Sequence, residues 1–323
     1  SLTAKEQSAL FVAILIAGTI INLTVERRFR LTHDGKKTAN GVSSGRVLAA
    51  TSATAVAILV ASTLLITSKG WPSRMPPGAG ALQAISPRKD IELRKTFMEE
   101  HCLPQGDIFC GKREPHTTNI LLLGDSRVLD IYIALKTAFP DANIRASYAM
   151  SCAAVFSADI GQSRYYPGCP EFNQTRLQEA LDAADTDIVF FAQSVNEWRA
   201  DAILSTVQRF TDAGKTVYLL GDFEFVRNRT PIEIYIDMMR FHPQGASIER
   251  YLHEEPFKLD GKFAEDVSKT GAVYISNRNF FFDGQYHFTD RVTGKMLTFD
   301  GVHLNSYGAE QFGQYLRQHY PLP

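Results

Sequence analysis

Hydrophobic and polar positions follow two regimes along this chain. Residues 7–25 and 47–68 are runs of 19 and 22 positions without one charged side chain. About 20 apolar residues in a helix cross a bilayer, so the runs predict two transmembrane helices, at about 8–25 and 47–67. Two buried core helices are the competing reading, disfavoured because buried helices of this length seldom lack every charge. A secretory signal fits poorly, since no basic segment precedes the first run and a second run follows it.

Beyond residue 118 the pattern changes. Short apolar runs at 119–123 (NILLL), 144–148, 187–192 (DIVFFA), 216–220 (TVYLL) and 272–275 (AVYI) predict strands. Helical stripes between and after them predict helices at 127–139, 174–184, 200–213, 231–241 and 306–318. Strands alternating with helices predict an α/β fold whose parallel sheet is covered on both faces. Ligands of such sheets bind at the carboxyl ends of the strands, so chemistry is expected just after Leu123, Ala192 and Ile275. Residues 70–90 are rich in Pro, Gly and Ala and read as a linker. A short helical pattern at 91–101 then opens a small extension. The expected parts are a transmembrane hairpin at 1–69, a linker and extension at 70–118, and the α/β domain at 119–323.

Charge orients these parts. The 323-residue chain has a net charge of −1, which argues against a nucleic-acid partner. The loop 26–46 carries six basic side chains (Arg27, Arg28, Arg30, Lys36, Lys37, Arg46) and two acids (Glu26, Asp34), a balance of +4. A short basic loop stays in the cytoplasm, so everything after Lys69 is expected outside it. All four cysteines, Cys102, Cys110, Cys152 and Cys169, fall in that exported part. An even number confined there reads as two disulfides. The sequence-local pairs Cys102–Cys110 and Cys152–Cys169 are favoured over the other two connectivities. A zinc site is the rival, but no C-x-x-C and no nearby His pair at ligand spacing occur, and no metal is expected. The chain opens on Ser1 rather than Met, as a processed or partial chain would.

Three short motifs carry candidate chemistry. Gly124-Asp125-Ser126 directly follows the first strand and precedes a helix, whose N-terminal N–H groups would suit an oxyanion beside a Ser126 nucleophile. Alone, G-x-S also occurs at 41–43, 161–163 and 245–247, and a plain helix cap is the bland reading. Asp300-Gly301-Val302-His303 precedes the last helix; Asp300 could orient the His303 imidazole and leave its other nitrogen free to take a proton from serine. Asn196, in Ser194-Val195-Asn196-Glu197 after the third strand, could donate to the same oxyanion, though a turn is the commoner role of a lone Asn. A nucleotide phosphate loop is not supported: the GKT at 214–216 has Arg209 where that loop needs Gly.

In this order the motifs resemble the SGNH (GDSL-like) hydrolases over about 119–319. Gly124, Asp125 and Ser126 match block I, Asn196 lies in a partial block III with Ser194 for Gly, and Asp300 and His303 match block V. The resemblance implies an α/β/α sandwich with a five-stranded parallel sheet. It implies Ser126, His303 and Asp300 as the catalytic triad, and Ser126, Asn196 and a block II N–H near Ser151 as oxyanion donors. Block II lacks its glycine in Ala149-Met150-Ser151-Cys152. With the hairpin, the chain resembles the C-terminal part of an acyltransferase-3 membrane enzyme fused to a periplasmic SGNH domain. Glu26-Arg27-Arg28-Phe29-Arg30 is similar to the family's E-x-P-x-R, with Arg28 for Pro.

That resemblance implies O-acylation, usually O-acetylation, of a bacterial surface polysaccharide such as lipopolysaccharide O-antigen. The site would lie in the periplasm, anchored to the inner membrane. No cofactor is expected in the chain. The acyl donor, acetyl-CoA derived, would come through a membrane acyltransferase part upstream of Ser1 or in a partner chain. An exported carbohydrate esterase, with water as acceptor, and a non-catalytic polysaccharide-binding module are the alternatives. Tyr165, Tyr166 and Tyr286 are candidates to hold sugar rings on their aromatic faces.

Overall fold

Alternate residues of the apolar run at 119–123 face different helical layers. Ile120 and Leu122 pack into one buried cluster, Leu121 and Leu123 into another. A strand covered on both faces must be apolar throughout, and β1 (Asn119–Gly124) is such a strand. The computed structural model describes residues 87–101, 108–111, 118–157, 167–195, 197–221, 231, 233–234, 254–282 and 284–322. All lie within one compact unit, Met75–Pro323. The two uncharged runs and the basic loop lie outside the described residues. Among the described residues no helix is long and apolar enough to cross a membrane.

Five strands form one sheet in the order β2-β1-β3-β4-β5, every neighbouring pair parallel. The others are β2 (Asn143–Tyr148), β3 (Ile188–Ala192), β4 (Thr216–Leu220) and β5 (Val273–Ile275). On one face lie α1 (Pro87–His101), α2 (Val128–Ala138) and α7 (Ser306–His319), contributing Met98, Ile131, Leu135, Phe312 and Leu316 to the core. The other face is covered by α3 (Cys169–Asp182), α4 (Ala200–Asp212) and α5 (Glu254–Lys269), through Leu177, Val207, Phe210, Phe263 and Val267. Burying each of these large apolar side chains contributes about 1.5–3 kcal/mol. Helix α7 lies close on α2, because a Cβ at Gly313 would come 2.4 Å from the carbonyl oxygen of Ala134.

Several elements depart from the sequence pattern, among them α1, which starts at Pro87 inside the stretch read as a linker. Helix α5 is absent from it, because Pro256 and Gly261 read as breakers. Pro256 stands in the first turn, where its missing N–H would have had no helical partner, and a Cβ at Gly261 would meet nothing. Helix α3 starts at Cys169 rather than 174, with Pro170 in its first turn. Of the helix expected at 231–241, Pro231, Glu233 and Ile234 are helical and the remainder lies outside the described residues. A short helix α6 (Asn277–Phe280) follows β5.

Candidate active site

Ser126 stands between the end of β1 and the first turn of α2. The turn is tight: a Cβ at Gly124 would fall 1.8 Å from the carbonyl oxygen of Ala192, so only glycine lets β1 and β3 approach this closely here. Asp125 fastens it. Its N–H donates to Ala192 O (3.2 Å), its Oδ1 accepts from Arg127 N–H (3.1 Å), and its Oδ2 accepts from Ser194 N–H (2.9 Å). The buried middle residue of the motif thus ties the Ser126 turn to the segment leaving β3.

The second half of the site comes from the turn before α7. Asp300 Oδ1 accepts the N–H groups of Val302 and His303, each at 2.8 Å, and Gly301 takes a φ of +76°, which glycine adopts without strain. The same carboxylate presents Oδ2 to His303 Nδ1 at 2.8 Å, and His303 Nε2 lies 2.9 Å from Ser126 Oγ. Burial pushes the Asp300 carboxyl up, but hydrogen bonds from the His303 ring and backbone outweigh it and hold it at about 2. The ionised carboxylate accepts from Nδ1–H, which leaves the Nε2 lone pair toward the serine hydroxyl. Burial lowers the His303 pKa, yet the Asp300 hydrogen bond and the charges of Asp130 and Asp300 outweigh that and the opposing Arg127, so it is raised overall.

Gly124 is level with Tyr148 of β2 on one side and Ala192 of β3 on the other. The loops leaving both strands therefore flank Ser126. Ser151 lies in the turn after β2 with a φ of 57° and its side chain exposed. This is the left-handed conformation that glycine adopts freely, here taken by a serine. Beyond β3, Asn196 lies outside the described residues, as do Tyr165 and Tyr166. Tyr286 is half-buried, its ring against Phe282 and the Arg278 guanidinium.

Cys152 and Cys169 are disulfide-bonded, pinning the Ser151 turn to the start of α3. Cys110 is disulfide-bonded too, and Cys102, its expected partner, lies outside the described residues. Behind the same turn sits Arg176, fully buried. Its Nη1 donates to Gly124 O (2.9 Å) and Ser147 O (3.1 Å), its Nη2 to Cys152 O (2.9 Å), and its Nε to Asn173 Oδ1 (2.8 Å). Asn173 Nδ2 donates to Ala153 O at 2.7 Å. One guanidinium thus joins the ends of β1 and β2 to the Ser151 loop. Sequence reasoning missed Arg176. The signal was an arginine in register with Asn173, Leu177 and Ala180 on the buried stripe of α3. Trp198 was missed as well; it is 62% exposed in the 3₁₀ turn Glu197–Arg199, with the Arg199 guanidinium 4.2 Å from its ring centre.

The arrangement holds a hydroxyl, a base and an orienting carboxylate in line at one sheet edge, the requirements of nucleophilic acyl chemistry. A family model for the SGNH domain fused to AT3 domains matches residues 94–318. Among solved structures, the chain is similar to the periplasmic domain of a lipopolysaccharide acetyltransferase of Salmonella ser. Paratyphi A. Identity is 16% and the TM-score 0.58, with 73% of this chain and 97% of that one covered. A fainter likeness, at 16% identity and a TM-score of 0.36, is to the C-terminal catalytic domain of the Streptococcus pneumoniae peptidoglycan O-acetyltransferase A, covering 62% of this chain and 92% of that one. No curated protein matches the sequence. At such identities the first likeness speaks for the fold, which is that of an α/β/α sandwich.

Proposed function

Because the chain belongs to the family of SGNH domains fused to AT3 domains, we propose that it completes O-acyl transfer, in the first instance O-acetyl transfer, to a bacterial surface polysaccharide such as lipopolysaccharide O-antigen. The observation that carries this reading is the hydrogen-bonded line from Ser126 Oγ through His303 to Asp300 at the carboxyl edge of the sheet. The periplasmic relative, which is a lipopolysaccharide acetyltransferase domain, supports the acceptor class and the compartment. In the same reading, residues 1–69 form the transmembrane hairpin with its loop 26–46 in the cytoplasm, 70–118 link it to the domain, and 119–323 face the periplasm. An upstream or partner membrane acyltransferase part delivers the acyl group from an acetyl-CoA-derived donor.

Ser126 Oγ attacks the donor carbonyl while His303 Nε2 takes the hydroxyl proton. Asp300 stabilises the imidazolium. Backbone N–H groups of Ser126 and the Ser151 turn, with Asn196, hold the oxyanion. Collapse expels the donor's leaving group, protonated by His303, and leaves an acyl ester on Ser126. A sugar hydroxyl then gives its proton to His303 and attacks that ester, and Ser126 recovers its proton as the product leaves. Transfer outcompetes hydrolysis only if the sugar is held beside the ester at high effective concentration. Trp198 on one flanking loop offers an exposed indole face for this.

Membranes carrying the full chain with its AT3 part, an acetyl donor and the polysaccharide test the reading by mass spectrometry. Acetylated sugar formed with the unchanged chain and absent with Ser126→Ala is the expected result. Acetyl groups released only to water would replace transfer with esterase chemistry.

A further inference from the structure

Three buried charged side chains, two on α1 and one on α2, form a ring that links to the segment just after His303. Asp90, Arg94 and Asp130 are 1%, 6% and 0% exposed. Asp90 Oδ1 accepts from Ser306 N–H (2.9 Å) and from Ser306 Oγ–H (2.7 Å). Arg94 reaches from α1 to both acids, with Nε 3.0 Å from Asp90 Oδ2 and Nη1 3.5 Å from Asp130 Oδ1. Asp130, on α2, closes the ring by accepting Leu304 N–H on Oδ2 at 2.9 Å. Leu304 and Ser306 bracket Asn305, whose side chain already caps α7 by accepting Gly308 N–H at 2.7 Å. The Asn305 side-chain cap at Gly308 N–H therefore does not involve the acids.

Burying two carboxylates and a guanidinium is costly, and apolar residues of like size often serve stability as well. What the charged ring adds is position: it ties the Leu304 and Ser306 N–H groups, just after His303, to α2 and α1. We propose that α1 is a working part of the catalytic unit, with Asp130, Arg94 and Asp90 as positioning residues that hold the 304–306 segment and through it His303. This rests on the reading of Ser126 and His303 given above. Facing His303 are Asp300 from its own turn, Asp130 from α2 and Arg127 from the turn before it, with Arg94 and Asp90 of α1 behind Asp130. Asp130 thus acts twice, through the Leu304 hydrogen bond and as a negative charge toward the imidazole. Burial raises the Asp130 pKa, while His303, Arg94 and the Leu304 N–H oppose the rise.

The test uses the full chain in detergent and hydrolysis of a small activated acetyl ester, which requires no sugar. Turnover is expressed per serine titrated with a sulfonyl fluoride, so that misfolded molecules do not count, and for Ser126→Ala per total chain. Asp130→Asn keeps an oxygen for Leu304 N–H but removes the charge, and the acid limb of kcat/KM moves to lower pH. Arg94→Met cuts the link to α1, and kcat falls by about ten- to a hundred-fold, as expected for a misplaced base, with KM for the ester unchanged. An unmoved acid limb in Asp130→Asn, or an unchanged kcat in Arg94→Met, overturns the inference while Ser126→Ala is inactive. Activity surviving in Ser126→Ala overturns the reading of the site itself, and this inference with it.

Discussion

Arg176 Nη1 lies 2.9 Å from the carbonyl oxygen of Gly124, so a fully buried cation on α3 holds the peptide just before the Asp125-Ser126 turn. The same side chain serves three further acceptors. Arg176→Met would leave them unpaired in the interior, and a hydrogen bond to a buried charged group contributes about 1.5–3 kcal/mol. The expected loss is at least about 3 kcal/mol, read as a lower denaturant midpoint at unchanged m value. Arg176→Lys is expected to recover little, because an ammonium cannot match the planar fork.

Ser126→Ala and His303→Ala are each expected to lower acyl turnover by about 10⁴-fold or more with folding unchanged, since members of such a triad act as a unit. Asn196→Ala is expected to cost about 10²–10³-fold, the usual effect of one oxyanion donor. Steady-state kinetics together with circular dichroism check all three. Wild-type turnover in Ser126→Ala would remove the nucleophile assignment.

The raised His303 pKa has a definite sign for activity. The base must be neutral, so kcat/KM falls as pH drops through a value above the ordinary 6.5. For stability, His303 contributes below its unfolded value of 6.5 and that contribution is lost as pH rises through its higher folded value. Asp300 contributes above its unfolded value of 3.8, a contribution lost as pH falls through about 2. The pair therefore stabilises most between about 4 and 6.5. With the Asp300 side chain 50% exposed, solvent screening keeps the effect below about 1 kcal/mol. The Tm difference between the unchanged chain and Asp300→Asn should be larger at about pH 5 than at about pH 9, by calorimetry.

Reduction of the Cys152–Cys169 bond releases a loop spanning 17 positions. Closing a loop of that size restricts the unfolded chain by about 3 kcal/mol. Thermal melts with and without reductant, compared with Cys152→Ala/Cys169→Ala, should show this loss. Because the bond also anchors the Ser151 turn, kcat is expected to fall before global unfolding does.

The sequence revealed the sheet because its central strands are buried on both faces: NILLL and DIVFFA are uninterrupted apolar runs bounded by polar turns. Ser126, Asp300 and His303 were legible because each sits in a short motif at a predicted strand end or helix start. Arg176 and Asp130 were not, since their partners lie 52 and 174 positions away and nothing local marks them. Helix α5 was hidden by Pro256 and Gly261, whose meaning depends on where in a helix they fall. That Ser151 takes a left-handed conformation in the β2 loop is a feature composition cannot reveal.

Helix α7 packs on α2, and the nucleophile and its base are separated by 177 positions of chain. Closing so long a loop is slow and depends on the contacts that α7 makes with α2. A ribosome-bound or truncated chain ending before residue 303 carries Ser126 without a proton acceptor. Any cut or stop between residues 126 and 303 therefore separates the serine from its base, whatever else of the fold survives.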